Sequence, residues 1–343
     1  MQIQENISLK PYNSFGIDVK AKYFASFKNT EELSELLTND SRLPTLILGG
    51  GSNILFTKDY DGLILKNEIK GINKVDEDNE FVHIQAGAGE NWHQFVLHCI
   101  ENDWAGVENL SLIPGNVGAS PMQNIGAYGV EIQEVFHELK AFNLKEKTNY
   151  TFGLKDCDFG YRDSVFKGKY KDEFVILHVT FKLRKQPLFN TSYGAIEQEL
   201  EKMGVKELSV KAISDAVINI RSSKLPDPKE IGNAGSFFKN PEINTAQFSM
   251  LTAQFPSIVG YNLPNGNVKL AAGWLIEQCG PNKTGSSWKG YRKGDAGCHA
   301  KQALVLVNYG NAGGNDIFEL SEEIAATVKK RFDITLEKEV NIV

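Results

Sequence analysis

The residues best suited to chemistry lie in three separate places along the chain. Gly160-Tyr161-Arg162-Asp163 supplies a guanidinium, Ser236 lies inside the segment GNAGSFFKNP, and several carboxylates lie near the C-terminus. An arginine forms a forked, charge-assisted pair with a carboxylate ligand, and a hydroxyl on a rigid loop can deliver a proton. Each residue also has a purely structural interpretation, because Arg162 can pair with Asp163 or Asp158 on the surface and Ser236 can satisfy a turn. Residue types alone leave both interpretations open.

Hydrolase and metal sites fit the sequence less well. Ser236 lies in Ala-Gly-Ser-Phe, which is not the GxSxG turn of a hydrolase nucleophile, and no histidine is close to it in sequence. The six histidines are dispersed, and the four cysteines form no CxxC pair. We therefore expect neither a metal site nor a disulfide framework.

Two glycine-rich stretches are suited to binding a ligand through the main chain. The 111–130 segment, SLIPGNVGASPMQNIGAYGV, has no charged residue, and small side chains allow close approach to its peptide N–H groups. Such groups suit a diphosphate or the edge of a flavin ring, although composition alone slightly favours a packing role. The second stretch is the 49–53 loop, GGGSN. It follows a predicted strand but leads into the extended Ile54-Leu55-Phe56 instead of a helix, so a dinucleotide-binding GxGxxG turn is not predicted.

Bulk properties limit the class of protein. At 343 residues the chain is long enough for two or three domains. A net charge of −6 argues against nucleic acid or an anionic membrane surface as the main partner. No apolar run approaches the ~20 residues of a membrane helix, and the start lacks the pattern of a secretory signal. A cytoplasmic protein is the expectation.

Hydrophobic periodicity predicts alternating strands and helices. Asn29 is predicted to cap a helix, with Glu32 three residues on, and 232–241 is predicted to be a loop. The predicted strands are 21–27, 45–48, 81–85, 174–184 and 302–308, with a hairpin over 139–144 and 148–152. Further predicted helices are 92–100, 210–223, 269–279 and 315–332.

Seven motifs in series resemble the UDP-N-acetylenolpyruvoylglucosamine reductase family, flavoenzymes of peptidoglycan precursor synthesis. One such motif would be weak, whereas the series extends over essentially the whole chain. The motifs are LILGGGSNILF (46–56), AGAGENWHQFV (86–96), LIPGNVGASPMQNIGAYGVE (112–131), YRDSVFK (161–167), GNAGSFFKNP (232–241), KLAAGWLIE (269–277) and QALVLVN (302–308).

The resemblance implies an α+β protein with the FAD-binding fold of the vanillyl-alcohol-oxidase type. It implies two α+β FAD-binding domains, 1–70 and 71–208, a third α+β domain for substrate, 209–325, and a C-terminal segment, 326–343, that returns to the active site. The implied FAD-binding residues are Gly49, Gly50, Gly51, Ser52, Asn53, Pro114, Gly115, Gly118, Ala119, Ser120, Gln123, Asn124, Gly126, Ala127, Tyr128 and Gly129.

The implied reaction is NADPH-dependent reduction of UDP-N-acetylglucosamine enolpyruvate to UDP-N-acetylmuramate through FAD. The resemblance implies that hydride passes from NADPH to flavin N5 and then to C3 of the enolpyruvyl group. Negative charge then accumulates as an enolate conjugated with the carboxylate. Arg162 suits stabilisation of that charge, Ser236 matches the proton donor to C2, and Glu339 matches the family's glutamate. The resemblance is to the longer family variant, in which a tyrosine loop closes over the nucleotide. Matching substrate-binding residues are Tyr161, Tyr193, Lys224, Asn240, Tyr261, Lys269 and Gln302.

Some alternatives stay open at this point. Asn341 stands where the family usually has arginine, so Glu337 competes with Glu339 for the role of the glutamate. A related flavoprotein oxidase of a sugar or alcohol shares the fold and often tethers its flavin through histidine or cysteine. A non-catalytic nucleotide-sugar binding protein is a further alternative. We expect a monomer with neither a membrane nor a nucleic-acid partner.

Overall fold

The computed structural model describes residues 2–37, 43–281 and 286–343. The chain forms two compact units. The first comprises Met1–Ile7, Ala21–Gly50 and Asp61–Ser223, and the second comprises Ser8–Lys20, Gly51–Tyr60 and Lys224–Val343. The predicted three-domain division stays a prediction, and all but the last residue of helix Val210–Lys224 belongs to the first unit.

The first unit contains two main sheets. One has the strand order Gln4–Ser8, Lys20–Phe27, Tyr60–Asn67, Thr45–Leu48, and its last two strands are parallel. The other is antiparallel, in the order Asn149–Gly153, Phe136–Asn143, Phe174–Arg184, Phe81–Gly87, Ile72–Glu77. The predicted strands 21–27, 45–48, 81–85 and 174–184 and the predicted hairpin are confirmed.

Apolar side chains on the long central strand Phe174–Arg184 join it to the helix Trp92–Glu101. The Phe181 ring lies 4.6 Å from the Phe95 ring and 5.8 Å from the Trp92 ring, measured between centroids. All three side chains are almost fully buried. This contact fixes the helix against the sheet, and the loop that follows the helix leads to the 111–130 segment.

Asn29 caps the first helix, Thr30–Leu36, as predicted. Its side-chain oxygen accepts the Glu32 main-chain N–H at 2.8 Å, and the Glu32 carboxylate accepts the Lys28 N–H at 2.7 Å. This reciprocal pair satisfies main-chain donors that the first helical turn leaves open.

The second unit contains shorter strands and a long helix. One sheet has the order Gly232–Ser236, Val305–Asn308, Ala296–Cys298, Arg292–Lys293, and another the order Glu242–Ile243, Val268–Leu270, Gly260–Asn262. Asn341–Ile342 pairs in parallel with Ile54–Leu55. The helices of this unit are Thr245–Gln254, Ala272–Glu277 and Gly314–Phe332. The last of these confirms the prediction of a helix over 315–332.

Three element predictions in the second unit need correction. The predicted helix 269–279 begins only at Ala272, because Lys269 lies in strand Val268–Leu270 and pairs with Glu242 and Tyr261. The predicted loop 232–241 begins as the strand Gly232–Ser236, and the predicted strand 302–308 begins only at Val305. In each case pairing with a distant strand, which sequence periodicity does not report, decides the boundary.

No helix in the parts of the chain that the structure describes is long and apolar enough to cross a membrane.

Candidate active site

The 111–130 segment runs as a succession of short turns. It contains the 3-10 turns Val117–Ala119 and Pro121–Gln123, followed by the tight hairpin of Gly126–Ala127 and Val130–Glu131. Leu112, Asn124 and Tyr128 have left-handed backbone at φ +58°, +42° and +51°. Non-glycine residues in this conformation are sparse and cluster at functional sites.

Glycine is required where the 49–53 loop meets the 111–130 segment. A Cβ on Gly50 would lie 3.0 Å from Gly115 Cα and 2.8 Å from the Asn116 side-chain oxygen. A Cβ on Gly118 would lie 2.5 Å from that of Ala88. On Gly49, by contrast, a Cβ would meet only Asn116 within 4 Å, at 3.7 Å. The space over Gly49 is therefore open to a ligand, which fits a cofactor held by the main chain.

Polar side chains from outside the 111–130 segment hold its beginning in place. His93 Nδ1 accepts the Leu112 N–H at 3.0 Å, and Arg221 Nε donates to the Leu112 carbonyl at 3.2 Å. Burial lowers the pKa of His93, with the Arg221 charge adding to the effect. His93 is therefore held neutral and able to accept, and the strained Leu112 is clamped on both sides.

The end of the segment is held in the same way by amides. Asn109 Nδ2 donates to the Tyr128 carbonyl at 3.0 Å, and Asn190 Nδ2 donates to the Gly129 carbonyl at 2.9 Å. Asn124, predicted to bind FAD, donates from Nδ2 to the Glu131 carboxylate and to the Gly160 carbonyl, at 2.8 and 3.0 Å. Two carbonyls at the end of the segment are thus occupied by side chains, and Asn124 joins the segment to the turn that carries Arg162.

Arg162 lies against the 111–130 segment. It sits at φ +54° in a tight turn closed by two main-chain hydrogen bonds between Gly160 and Asp163, at 3.1 and 3.2 Å. One of its terminal guanidinium nitrogens is 3.4 Å from the place a Cβ on Gly126 would occupy. The structure therefore brings the predicted catalytic arginine to the predicted cofactor-binding segment. Tyr161, beside it in sequence, is exposed.

Arg221 also contacts the 111–130 segment, and it was not predicted from the sequence to be a site residue. It lies near the end of helix Val210–Lys224 and hydrogen-bonds the Tyr128 side chain. Burial lowers the pKa of Arg221, and the charge of Arg162 lowers it further. Two guanidiniums held near each other favour an anionic ligand. The segment INIRSSK carries no signal that separates this arginine from any helix-surface arginine.

Tyr193 lies against Tyr128, the hydrogen-bond partner of Arg221. Its ring makes an edge-on contact with the ring of Tyr128, with centroids 5.3 Å apart. Tyr193 immediately precedes helix Gly194–Lys202 and is 47% exposed. An exposed tyrosine in this position is available to cover a ligand.

In the second unit, Ser236 and Glu339 lie on neighbouring segments. Ser236 ends strand Gly232–Ser236 opposite Val305, after Gly235 at φ +70°. The Glu339 N–H donates to the carbonyl of Phe237 at 2.8 Å. Both Ser236 and Glu339 are half-buried. The main chain of Glu339 therefore lies next to the end of the strand that carries Ser236.

Glu337 occupies a different environment. Its side chain is 71% exposed and forms a 2.5 Å ion pair with Lys239 Nζ, while its carbonyl accepts the Lys239 N–H at 2.8 Å. An exposed carboxylate already paired with a lysine is less suited to catalysis than the half-buried Glu339.

The 49–53 loop changes unit after Gly50. Gly51, at φ +62°, is held by the Ser14 N–H, which donates to its carbonyl at 2.9 Å. A Cβ there would lie 2.0 Å from the Tyr12 carbonyl oxygen, so glycine is obligatory. The Asn53 side chain donates from Nδ2 to the Glu339 carbonyl at 3.2 Å.

The predicted substrate-binding residues of the second unit form two groups. Tyr261 and Lys269 are direct partners on adjacent strands. The side-chain oxygen of Asn240 accepts the Ala272 N–H at 2.9 Å, and that of Gln302 lies 2.9 Å from the place of a Cβ on Gly273. Asn240 therefore supports the start of helix Ala272–Glu277, and the Gln302 side chain lies close to Gly273 in that helix.

The predicted site residues are divided between the two units. The first unit holds Gly49, Gly50, the predicted FAD-binding residues between 114 and 129, Tyr161, Arg162 and Tyr193. The second holds Gly51, Ser52, Asn53, Lys224, Ser236, Asn240, Tyr261, Lys269, Gln302 and Glu339.

All four cysteines are buried free thiols. Burial raises the pKa of Cys157 and of Cys298 to about 12, so both are protonated at neutral pH. Since the thiolate is the reactive form, these side chains offer no ready tether for a flavin.

Two family profiles match the chain. An FAD-binding domain profile matches residues 21–147, and a profile described as UDP-N-acetylenolpyruvoylglucosamine reductase, C-terminal domain, matches residues 227–343. The crystal structure of UDP-N-acetylenolpyruvylglucosamine reductase from Thermus caldophilus superimposes with a TM-score of 0.69 at 21% identity, covering 100% of this chain and 99% of that one. The chain has the α+β FAD-binding fold of the vanillyl-alcohol-oxidase type, as predicted.

Sequence relatives cover the whole chain. UDP-N-acetylenolpyruvoylglucosamine reductase of Amoebophilus asiaticus is 51% identical over 345 residues, which is 100% of both chains. The corresponding protein of Flavobacterium johnsoniae is 49% identical, also over 100% of both. That of Pseudomonas putida is 48% identical over 100% of this chain and 99% of its own. This chain therefore belongs to the UDP-N-acetylenolpyruvoylglucosamine reductase family.

Proposed function

We propose that this chain reduces UDP-N-acetylglucosamine enolpyruvate to UDP-N-acetylmuramate, with Arg162, Ser236 and Glu339 as its catalytic residues. Members of this family are FAD-dependent oxidoreductases that use NADPH, and the chain carries the FAD-binding domain. The observation that carries the residue assignment is the hydrogen bond from the Glu339 N–H to the Phe237 carbonyl. It sets the main chain of Glu339 beside the residue that follows Ser236.

The residues of the two glycine-rich stretches fit FAD. Gly50 and Gly115 approach each other without side chains, and the space over Gly49 is open. In the 111–130 segment, the N–H groups of residues 117–120 donate to carbonyls of the protein, so the proposed N–H contacts to phosphate and flavin acceptor atoms come from the rest of the segment. When bound, FAD supplies hydride transfer between NADPH and the enolpyruvyl group.

Arg162 is proposed to stabilise the negative charge that develops on the enolpyruvyl carboxylate and enolate. Its guanidinium is held by a rigid turn against Gly126, so it need not reorganise when charge appears. A fork of two N–H donors matches a carboxylate in a way that an ammonium group does not. Arg221, nearby, adds positive charge to the same part of the first unit.

Ser236 is proposed to give its hydroxyl proton to C2 of the substrate. A neutral serine is a weak acid, but an enolate carbon is basic enough to take the proton. Glu339, on the neighbouring segment, is the carboxyl group that can relay a proton back to the hydroxyl from solvent. Its half-buried position, unlike the exposed Glu337, supports this choice.

The remaining proposed contacts are to the sugar nucleotide. Lys224 and Lys269 suit the UDP phosphates as cations, and the exposed Tyr193 suits the face of the nucleotide. Tyr161, Asn240, Tyr261 and Gln302 complete the proposed substrate set. Asn240 also positions helix Ala272–Glu277.

We further propose that the chain acts as a cytoplasmic monomer, in which residues 1–70 and 71–208 bind FAD, 209–325 cover the substrate and 326–343 complete the site. Light scattering of the purified protein tests the monomer, since a constant mass twice that of the chain would contradict it. Family membership favours the reductase over a flavoprotein oxidase or a non-catalytic binding protein.

An anaerobic mixing experiment tests the proposed reaction. NADPH should bleach the bound flavin, and UDP-N-acetylglucosamine enolpyruvate should then restore the oxidised spectrum without oxygen, in an amount equal to the UDP-N-acetylmuramate formed. Reoxidation by oxygen alone would identify an oxidase, and a preparation that neither contains nor takes up FAD would identify a binding protein.

A further inference from the structure

We propose that Asn341 is a positioning residue for Glu339, acting through the main chain and amide of Asn53. The inference rests on the proposed function, which makes Glu339 a catalytic residue. Asn341 is not itself among the proposed site residues.

Asn53 and the C-terminal segment 337–343 are joined by three hydrogen bonds. The Asn53 carbonyl accepts two of them from Asn341, from the main-chain N–H at 3.2 Å and from the side-chain Nδ2 at 2.9 Å. Asn53 Nδ2 returns the third, to the Glu339 carbonyl at 3.2 Å. Asn53 thus holds two positions of the segment that are two residues apart, and Glu339 is one of them.

Both main-chain polar groups of Glu339 are therefore bound. Its N–H donates to the Phe237 carbonyl and its C=O accepts from Asn53, so two separate segments fix its peptide groups from either side. An isolated antiparallel bridge between Phe238 and Lys338 continues the first contact. Fixing both peptide groups fixes the Cα–Cβ direction, and with it the place from which the carboxyl group works.

The side chain of Asn341 is needed because the strand pairing at this point is short. Asn341–Ile342 pairs with Ile54–Leu55, and main-chain bonds of Val343 with Leu55 and Thr57 continue the pairing away from Glu339. At its first position the main-chain bond is 3.2 Å long, whereas the side-chain bond to the same oxygen is 2.9 Å. Asn341 is solvent-exposed, so apolar burial does not hold it there.

The far end of the same pairing offers a matched control. Thr57 donates to the Val343 carbonyl from its N–H and, at 2.9 Å, from its hydroxyl. This side-chain bond also ties the C-terminal segment to the strand after the 49–53 loop, but it lies beyond Asn341 as seen from Glu339. A substitution of Thr57 tests whether any loosening of the C-terminal segment 337–343 slows the reaction. It removes no hydrogen bond of Asn53.

The experiment compares Asn341→Ala and Thr57→Val with the unmutated enzyme and with Glu339→Gln. For each FAD-loaded protein, the rate of flavin reduction by NADPH and the rate of flavin reoxidation by UDP-N-acetylglucosamine enolpyruvate are measured anaerobically, together with FAD content and Tm. In Asn341→Ala we expect reoxidation to slow about tenfold, since small misplacements of a catalytic group cost this much or more. Reduction by NADPH and both rates of Thr57→Val should stay within about twofold.

Equal slowing of both steps in Asn341→Ala, equal slowing of reoxidation in Thr57→Val, or an unchanged Asn341→Ala would each overturn the inference. Glu339→Gln separates this failure from that of the proposed function. If Glu339→Gln slows reoxidation while Asn341→Ala does not, only the positioning role is lost. If Glu339→Gln is itself harmless, the catalytic role of Glu339 fails, and the positioning role falls with it.

Discussion

The 111–130 segment and the C-terminal segment 337–343 support the proposed reaction by opposite means. The first is a chain of turns with left-handed backbone at Leu112, Asn124 and Tyr128, and side chains from elsewhere hold the carbonyls of Leu112 and Tyr128. The second is extended, and its main chain pairs with strand neighbours on both sides.

This difference indicates a division of labour. A main chain that forms a regular ladder has spent its N–H and C=O groups on its neighbours, so only its side chains can act. A main chain in irregular turns with small side chains leaves space beside it for a ligand. We therefore expect cofactor binding to depend on main-chain space, and the reaction with substrate to depend on a few side chains.

The largest effect should come from Ser236→Ala. Removing the proton donor should slow flavin reoxidation by UDP-N-acetylglucosamine enolpyruvate about 10²–10⁴-fold, the usual range for general acid catalysis. FAD binding and reduction by NADPH should be nearly unchanged, as stopped-flow absorbance can check. Equal losses in both steps would mean that Ser236 is structural and that the comparison does not hold.

Arg162→Lys should come next, with reoxidation slowed about 10²-fold, as for the loss of one preorganised hydrogen-bond donor. The charge is retained but the two-pronged contact is lost. Arg292→Lys is the matched control, because that guanidinium pairs with Asp295 and neither residue is among the proposed site residues. Turnover of Arg162→Lys equal to that of the unmutated enzyme would refute the carboxylate contact.

Gly49→Ala tests the proposed dependence of FAD binding on space beside the main chain. The added methyl group meets only Asn116, at an ordinary distance of 3.7 Å, so the Tm of the FAD-free protein should not change. The methyl group would occupy space proposed for the cofactor, so the affinity for FAD should fall about tenfold, or ~1.4 kcal/mol. Titration of the FAD-free protein by flavin fluorescence measures it.

Gly50→Ala is the contrasting variant, because its Cβ would lie 3.0 Å from Gly115 Cα. It should lower both the Tm and the affinity for FAD. Full retention of FAD by Gly49→Ala would show that the cofactor does not approach this loop.

The smallest effect concerns Glu108, which precedes the 111–130 segment and is 2% exposed. Burial raises the pKa of Glu108 above the ordinary 4.5. The hydrogen bond from the Gly106 N–H lowers the pKa and so offsets part of this rise. The folded state therefore holds this proton more readily than the unfolded state, so the associated stability is present below pH 4.5 and is lost as pH rises through the raised pKa.

Glu108→Gln should remove this decline, making the free energy of unfolding less dependent on pH from 4.5 upward. Denaturant melts at several pH values check the slope, with Glu207→Gln, at an exposed position, as the control. A slope identical in Glu108→Gln and the unmutated protein would show that Glu108 is not the group responsible.

Long elements with a buried face were predictable from the sequence. Phe174–Arg184 and Gly314–Phe332 repeat apolar residues with the period of a strand and of a helix, and both predictions are confirmed. Lys269 was assigned wrongly because VKLAAGWLIE is apolar at spacings that suit either structure. The pairing of Lys269 with Glu242 and Tyr261 decided the matter.

The candidate site was only partly predictable. Motif resemblance indicated Arg162, Ser236 and Glu339, but no pattern near Arg221 shows that it reaches the Leu112 carbonyl and Tyr128. Asn341 stood out only as a departure from the family. Its partner Asn53 lies near the other end of the chain, and such long-range pairing leaves no local signal.

The division of labour is tested most directly by measuring FAD affinity and the rate of flavin reoxidation by substrate in both Gly49→Ala and Ser236→Ala. We predict a crossed pattern, in which Gly49→Ala weakens FAD binding but, once saturated with FAD, reacts with substrate at close to the normal rate. Ser236→Ala should bind FAD normally and react at least about 10²-fold more slowly. Parallel losses of both properties in either variant would contradict the account.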